Sequence, residues 1–151
     1  MKAFRILNTV VSLSAILMIS GCGGKSTPAE STQDKQLGLL SKKWTVSTVT
    51  LNSVDQSSSW TGFNLTITGT KGATSFSYAC AARPALGPWP ASGTWSFGTD
   101  PVTQITRTED NLPITYTVTA TTLQMTFNYT GNGYTRVSNV GGNWVFSFTS
   151  N

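Results

Sequence analysis

Residues 114–129, ITYTVTATTLQMTFNY, carry the clearest pattern in the chain and decide its fold. In each half of this segment every second residue is large and apolar, and the residues between them are Thr, Gln or Asn. A period of two is typical of a β-strand that buries one face. Residues 120–122 leave room only for a tight turn between the halves, so the segment predicts an antiparallel hairpin.

The same alternation extends outward from the hairpin and predicts six further strands, eight in all. In chain order, the further strands are marked by residues 44–51, by Phe63, Leu65 and Ile67, by Phe76, Tyr78 and Cys80, by Trp95 and Phe97, by Val102 and Ile105, and by Trp144, Phe146 and Phe148. In the first strand the apolar residues change phase between Val46 and Val49, which predicts a β-bulge near Ser47 and Thr48. No helix longer than one turn is predicted outside the N-terminal leader.

The predicted connections alternate in length along the chain. The short ones are residues 69–72, 98–101 and 120–122, and the longer ones are residues 52–61, 81–92, 108–113 and 131–143. In an up-and-down arrangement of antiparallel strands, successive connections lie at opposite ends of the sheet. We therefore expect one end of the molecule to be closed by tight turns, where the chain enters. The other end should carry long loops that point away from the entry point.

Strands that each carry one apolar face must bury those faces together. The sequence predicts an all-β fold in which residues 39–151 close into an eight-stranded antiparallel up-and-down barrel, because closure also removes exposed sheet edges. A two-sheet sandwich is the alternative. Most inward positions are bulky, which predicts little free space inside: Trp44, Phe63, Phe76, Tyr78, Trp95, Phe97, Tyr116, Phe127, Trp144, Phe146 and Phe148.

The N-terminus has the layout of an export signal. Residues 1–21 begin with Lys2 and Arg5, continue with a mostly apolar run and end in small residues, as secretory signal peptides do. The sequence ISGC at residues 19–22 resembles the bacterial lipobox, in which the cysteine becomes lipid-modified and then N-terminal. This resemblance predicts lipidation at Cys22. The alternative is ordinary cleavage that leaves Cys22 as an unmodified thiol.

Residues 22–38 comprise the lipobox cysteine and then residues 23–38, which lack a periodic apolar pattern, so we expect a flexible linker. The resemblance to bacterial lipoproteins implies a diacylglyceryl thioether and an N-acyl chain on Cys22. Each buried CH₂ of such chains contributes about 0.8 kcal/mol, so several chains make a stable membrane anchor. Gly23, rather than Asp, follows the cysteine, and under the lipoprotein sorting rule this implies the outer membrane. The periplasmic and the surface-facing orientation are both left open.

Two short motifs resemble the lipocalin-like domains of lipoproteins from Gram-negative bacteria. Leu40 and Trp44 open the first strand, and Gly93, Thr94 and Trp95 stand where another strand begins. The resemblance implies a small antiparallel barrel and a hydrophobic ligand, and it brings no catalytic residue with it.

The composition argues against an enzyme. The chain has no histidine, which removes the commonest general base and the usual zinc and copper ligands. Asp55, Glu109 and Asp110 could meet where the long loops gather and there serve in catalysis or bind calcium. The other interpretation is that they are solvated charges on separate loops. No phosphate-binding loop is present. We predict a non-catalytic protein without a cofactor or a metal.

The charge pattern argues against a nucleic-acid partner. Charged residues make up 11 % of the chain, with ten basic and six acidic side chains. Two of the basic residues lie in the leader, which leaves eight for the mature chain. They are scattered and form no basic stripe of the kind that binds phosphate backbones.

The long loops contain the candidate ligand-binding residues, because rigid aromatic rings beside Arg can stack on a sugar or anchor a protein. The candidates are Trp60, Arg83, Trp89, Tyr134 and Arg136.

Trp89 also has another interpretation, because it lies between two prolines and could fold back as a lid that fills the barrel mouth. Cys80 is in phase with the core and is expected to be a small buried hydrophobic residue.

Two functions follow from these patterns. The first is a lipoprotein that binds a small hydrophobic or glycan ligand at its loop end. The second is a structural or interaction lipoprotein with a filled barrel, which acts by contact with other envelope components.

Overall fold

The computed structural model describes residues 29–131 and 140–150. They form one helix, nine strands and a single 3₁₀ turn at Ser57–Trp60. The helix and strands are α1 (Thr32–Leu40), β1 (Lys43–Leu51), β2 (Val54–Asp55), β3 (Asn64–Thr68), β4 (Phe76–Ala81), β5 (Ser92–Phe97), β6 (Gln104–Arg107), β7 (Leu112–Val118), β8 (Thr122–Tyr129) and β9 (Gly142–Thr149).

The strands form a closed antiparallel barrel. From β3 to β9 each strand pairs with the next one along the chain, and β1 pairs with both β3 and β9. This second pairing closes the ring with eight strands, while β2 is a two-residue addition at the end of β1. The predicted eight-stranded up-and-down barrel of lipocalin-like architecture is confirmed, and closure excludes the two-sheet sandwich.

The predicted bulge in β1 is present. The register against β9 shifts between Val46 and Thr48, so Ser47 is the extra residue. Its hydroxyl donates to the carbonyl of Ser147 at 2.9 Å. The bulge is needed because Trp44 and Val49 are both fully buried although they are five positions apart, an odd spacing that would place them on opposite faces of a regular strand.

The interior of the barrel is filled. The buried apolar side chains of the described residues form one cluster, and the pocket that Trp89, Tyr78 and their neighbours line within it has a free volume of about 10 Å³, close to what one water molecule requires. All the bulky residues that were predicted to point inward are buried, except Phe97, which is only partly buried. The prediction of little interior space is therefore confirmed.

Helix α1 corrects the prediction for the linker. It begins at Thr32, inside the segment for which we expected no regular structure, and it is longer than one turn. Ser31 caps it by accepting from the backbone N–H of Asp34 at 3.1 Å. Leu37 and Leu40 are buried against the barrel, and their contact is so close that a Cβ at Gly69 would lie 2.8 Å from a methyl group of Leu37. The helix thus closes the end at which the chain enters.

The two ends of the barrel are called here the tether pole and the loop pole. The tether pole consists of α1 and of residues 69–75, 98–103 and 119–121. The loop pole consists of residues 52–63, 82–91 and 108–111 and of the described part of the connection between β8 and β9. Because β1 starts beside α1, the chain enters at the tether pole, as expected.

One loop length was predicted wrongly. Residues 108–111 form a connection of only four residues, shorter than residues 69–75 at the opposite pole. The loop is short because β7 begins at Leu112, which pairs with Arg107, and because Asn111 adopts a left-handed conformation with φ of 52°. The strict alternation of short and long connections is therefore not observed.

Candidate ligand site at the loop pole

Three of the predicted site residues can be located, and all three lie at the loop pole. Trp60 and Trp89 are each 2 % exposed, and Arg83 is half-buried. Cys22, Tyr134 and Arg136 lie outside the described residues. Since both indoles are buried, neither offers an open stacking platform.

Trp89 reaches from the loop of residues 82–91 into the mouth of the barrel. Its ring centroid lies 5.8 Å from that of Tyr78, 5.6 Å from that of Phe127 and 5.9 Å from that of Phe146. All three contacts are edge-to-face, the geometry that aromatic quadrupoles favour. The structure therefore places Trp89 as the lid of the alternative interpretation.

Hydrogen bonds from two arginines fix the backbone of this loop. Arg107 Nη1 donates to the carbonyl of Pro88 at 2.8 Å, and Arg83 Nη1 donates to the carbonyl of Trp89 at 3.4 Å. The loop ends where the backbone N–H of Cys80 donates to the carbonyl of Ala91 at 2.7 Å. These contacts hold the indole of Trp89 inside the barrel.

Arg107 is a central residue of the loop pole that was not among the predicted site residues. It is 1 % exposed, and among the described residues it is the only charged side chain that is buried. Asp110 accepts from its Nε at 2.9 Å and forms an ion pair with Nη2. Its guanidinium carbon also lies 5.4 Å from the ring centroid of Trp89 and 5.8 Å from that of Tyr129. The signal was available, because Arg107 is in phase with the inward-facing Ile105.

The acidic residues of the loop pole have separate partners. Glu109 accepts from the backbone N–H of Thr94 and from the hydroxyl of Tyr78, whereas Asp110 pairs with Arg107. Asp55 accepts from Ser57, whose hydroxyl and backbone N–H lower the pKa of this carboxyl group. These carboxylates therefore do not converge on a shared site. Within residues 29–131 and 140–150, no group of three or more Cys, Asp or Glu side chains is placed to hold a metal ion.

Cys80 is partly buried and lies in phase with the core, which agrees with its predicted inward orientation. Burial raises the pKa of its thiol to about 12, although Arg107 and Arg83 oppose the shift. Because the thiolate is the nucleophilic form, this side chain is not a reactive nucleophile near neutral pH.

A groove beside the Trp89 loop is the accessible feature of this pole. It encloses about 480 Å³, within the range of small-molecule sites. Leu86, which is 44 % exposed, projects from one wall, while Gln56 and Ser59 supply polar groups on the other. Within the part of the chain that the structure describes, no charged side chain lines it, and the lining residues are Leu51, Gln56, Ser59, Trp60, Pro84, Ala85, Leu86, Val140 and Trp144.

Trp60 forms part of the base of the groove. Its ring meets Phe63 at 4.9 Å and Phe146 at 4.7 Å between centroids, both edge-to-face. Gly87 lies directly against the same ring, where an added Cβ would stand 2.8 Å from the Cη2 atom of Trp60. Trp60 thus connects the groove, the barrel core and the Trp89 loop.

No helix among the described residues has the length and apolar character needed to cross a membrane. Comparisons with protein-family models, with curated proteins and with solved structures gave no match to this chain.

Proposed function

We propose that this protein is a lipid-anchored, non-catalytic lipoprotein of the cell envelope that binds a small hydrophobic or glycan ligand in the loop-pole groove. The observation that carries the proposal is the contrast between a groove of about 480 Å³ and an interior with about 10 Å³ free. The barrel is then a rigid support, and the ligand binds on its loops rather than within its core.

The lining of the groove supports an uncharged ligand with one apolar side. Leu86, Ala85 and Leu51, which are exposed or half-buried, supply apolar contact area, while the amide of Gln56 and the hydroxyl of Ser59 can form hydrogen bonds. A sugar ring meets both requirements through its apolar face and its hydroxyl groups, and so does an alkyl chain that ends in an uncharged polar group. A charged ligand would lose its hydration without gaining a partner of opposite charge.

The membrane anchor is the second part of the proposal and rests on the lipobox-like residues 19–22. Because the chain enters through α1 at the tether pole, an anchor on Cys22 would leave the groove on the far side of the barrel. Gly23 supports the outer membrane as the location. The groove would then face outward from the bilayer to which the protein is attached.

Mass spectrometry of lipids and glycans that co-purify with the protein tests the ligand. Leu86→Glu places a charge on the wall of the groove at an exposed position, so the fold should be retained. We expect the bound compound to be lost in this variant. Val102→Glu is the matched control, because Val102 is similarly exposed, at 46 %, but lies at the tether pole. Equal ligand content in both variants, or none in the wild type, contradicts the proposal.

Replacement of Cys22 by Ser tests the anchor. We expect the variant to move from the membrane fraction to the soluble fraction, because it lacks the sulfur atom that would carry the diacylglyceryl group. Unchanged partitioning into detergent would show that Cys22 carries no lipid.

The alternative function is a contact protein without a small-molecule ligand. The filled interior favours it, since α1 closes one pole and Trp89 closes the other. For this function, crosslinkers placed at Leu86 should capture one defined envelope protein in intact cells, while no free lipid or glycan co-purifies with the wild type.

A further inference from the structure

We propose that the position of Trp89 is itself a binding site for a planar, uncharged aromatic compound, and that Trp89 is a plug which such a compound displaces. The inference rests on the proposed function, because residues 84–86 of the plug loop form one wall of the groove. Movement of the loop would open the groove into the barrel mouth. The site would then extend from the surface into the position now taken by the indole.

The surroundings of Trp89 define the shape of the compound. Rings of Tyr78, Phe127 and Phe146 present edges or faces to the indole at interplanar angles of 75° to 89°. A flat slot between perpendicular rings accepts a planar aromatic system and gives fewer contacts to a bulky aliphatic group. The adjoining void of about 10 Å³ shows that the slot is already filled by a bicyclic ring, so the compound must be of about this size.

Arg107 defines the charge of the compound. Its guanidinium lies 5.4 Å from the ring centroid of Trp89, at a distance typical of cation–π contacts. An electron-rich neutral ring in the same position keeps this attraction. A cationic compound would meet a buried positive charge and be rejected.

The indole N–H of Trp89 shows that a polar edge is not required. The Nε1 atom is buried and has no hydrogen-bond partner. A buried donor without an acceptor destabilises the folded state relative to an apolar edge of the same shape. A hydrocarbon ring should therefore occupy this slot at least as well as indole.

The attachment of the loop permits displacement. Ala82, at its start, has φ of 52°, a strained conformation for a residue with a Cβ. The two arginines hold the loop through its carbonyl oxygens at Pro88 and Trp89, and these bonds can be exchanged for water. Gly87 seats the loop against Trp60 at a distance that allows no side chain.

Fluorine NMR of the full chain labelled with 5-fluorotryptophan tests the displacement directly. The resonance of Trp89 is assigned with Trp89→Phe, and the labelled wild type is titrated with naphthalene and with indole. We expect both compounds to shift the Trp89 resonance toward its position in the unfolded protein, with naphthalene at least as effective as indole. Tryptamine, the cationic analogue of indole, should bind at least about tenfold more weakly.

A second variant tests the plug without altering Trp89 or the arginines. In Gly87→Ala the new methyl group collides with the rigid ring of Trp60, so the loop is held less firmly. Only molecules in which the loop is open can bind naphthalene, so the apparent affinity rises with the open fraction. Because Gly87→Ala increases this fraction, we expect the variant to bind naphthalene about tenfold more tightly. Gly38→Ala is the control, because no atom lies within 4 Å of a Cβ at that position. Unchanged affinity in Gly87→Ala overturns the plug.

The outcomes separate this inference from the proposed function. Binding of naphthalene that is abolished by Leu86→Glu but leaves the Trp89 resonance in place would support the groove and overturn the plug. A shift of the Trp89 resonance that survives Leu86→Glu would support the plug and argue against the groove as the ligand site. Absence of binding by both compounds up to their solubility limits overturns the plug and leaves the groove to be tested with lipids and glycans.

Discussion

Arg107 is the residue on which the arrangement of the loop pole depends. A guanidinium that is 1 % exposed is tolerated only when its charge and its N–H donors have partners. Asp110 supplies the charge, and the carbonyl of Pro88 accepts one of the hydrogen bonds. The contacts of Arg107 therefore compensate for the loss of its hydration, and they also fix the loop that carries Trp89.

Replacement of Asp110 by Asn should be costly for this reason. The variant leaves a buried cation without its counter-charge, and we expect the free energy of unfolding to fall by about 2 to 3 kcal/mol in urea denaturation. Glu30→Gln is the matched control, because it breaks only the exposed Glu30–Lys71 ion pair and should leave the free energy of unfolding almost unchanged. Equal losses in the two variants would show that burial of Arg107 does not depend on Asp110.

Cys80 gives a prediction about pH. Its thiol ionises near pH 12 in the folded protein instead of near 9, so between these values the unfolded chain releases a proton that the folded protein retains. Stability from this group is complete below pH 9 and falls as the pH rises through that window. Compared with Cys80→Ala, the wild type should lose stability more steeply above pH 9. In Cys22→Ser, where Cys80 is the only thiol, disulfide reagents should react much faster after unfolding.

Individual residues differ in how far the sequence reveals them. The inward positions of Cys80 and Arg107 follow from the alternation of inward and outward side chains along a strand. Arg107 was not predicted to be buried because charged side chains are expected on the surface. The position of Trp89 does not follow from any period, because it lies in a loop between prolines. Its burial depends on the rings of three distant strands, which only the folded barrel brings together.

Among the elements, the strands were predictable and helix α1 was not. Strands β7, β8 and β9 bury alternate residues, and this is the signal that the sequence carries most directly. In α1 only Leu37 and Leu40 are buried. Two buried residues among nine do not form the apolar stripe by which an amphipathic helix is recognised in a sequence. The helix is stabilised by its cap and by the barrel against which it packs, rather than by its own sequence pattern.

Truncation of Leu40 tests how much the helix contributes to the fold. Leu40 is fully buried, and its carbonyl accepts from the indole N–H of Trp44 at 2.9 Å. Leu40→Ala should lower the unfolding free energy by about 2 to 5 kcal/mol, because it leaves a cavity at the tether pole. The neighbouring Leu39 is only half-buried, and we expect Leu39→Ala to cost about 1 kcal/mol or less. Similar thermal stability of the two variants would mean that α1 is not needed to close the pole.

At the scale of the whole molecule, the barrel depends on the pairing of β1 with β9. This pairing joins residues about one hundred positions apart, and it retains its register only because Ser47 is inserted as an extra residue. Closure was predictable from eight strands that each carry one apolar face, and the bulge was predictable from the phase change in β1. The tight connection at residues 108–111 was not predicted, because Pro113 was assigned to the loop.

Deletion of Ser47 should therefore disrupt the molecule as a whole. Without the bulge residue, either Trp44 or Val49 must turn to the outer face, because side chains alternate along a strand. We expect the loss of cooperative thermal unfolding. Ser47→Ala is the control, because it removes only the hydrogen bond to Ser147 and should cost about 1 kcal/mol. A folded, cooperative deletion variant would show that closure does not need the bulge.

The position of α1 also determines how the protein would respond to mechanical force. A pull on the N-terminal end acts first on Glu30 and Asp34, whose contacts with Lys71 and Gly72 are exposed, and then on Leu37 and Leu40. Only after the helix has peeled away does the load reach β1, which is held by a neighbour on each side. Under tension the helix would therefore detach first, while the strands of the barrel behind it stay paired.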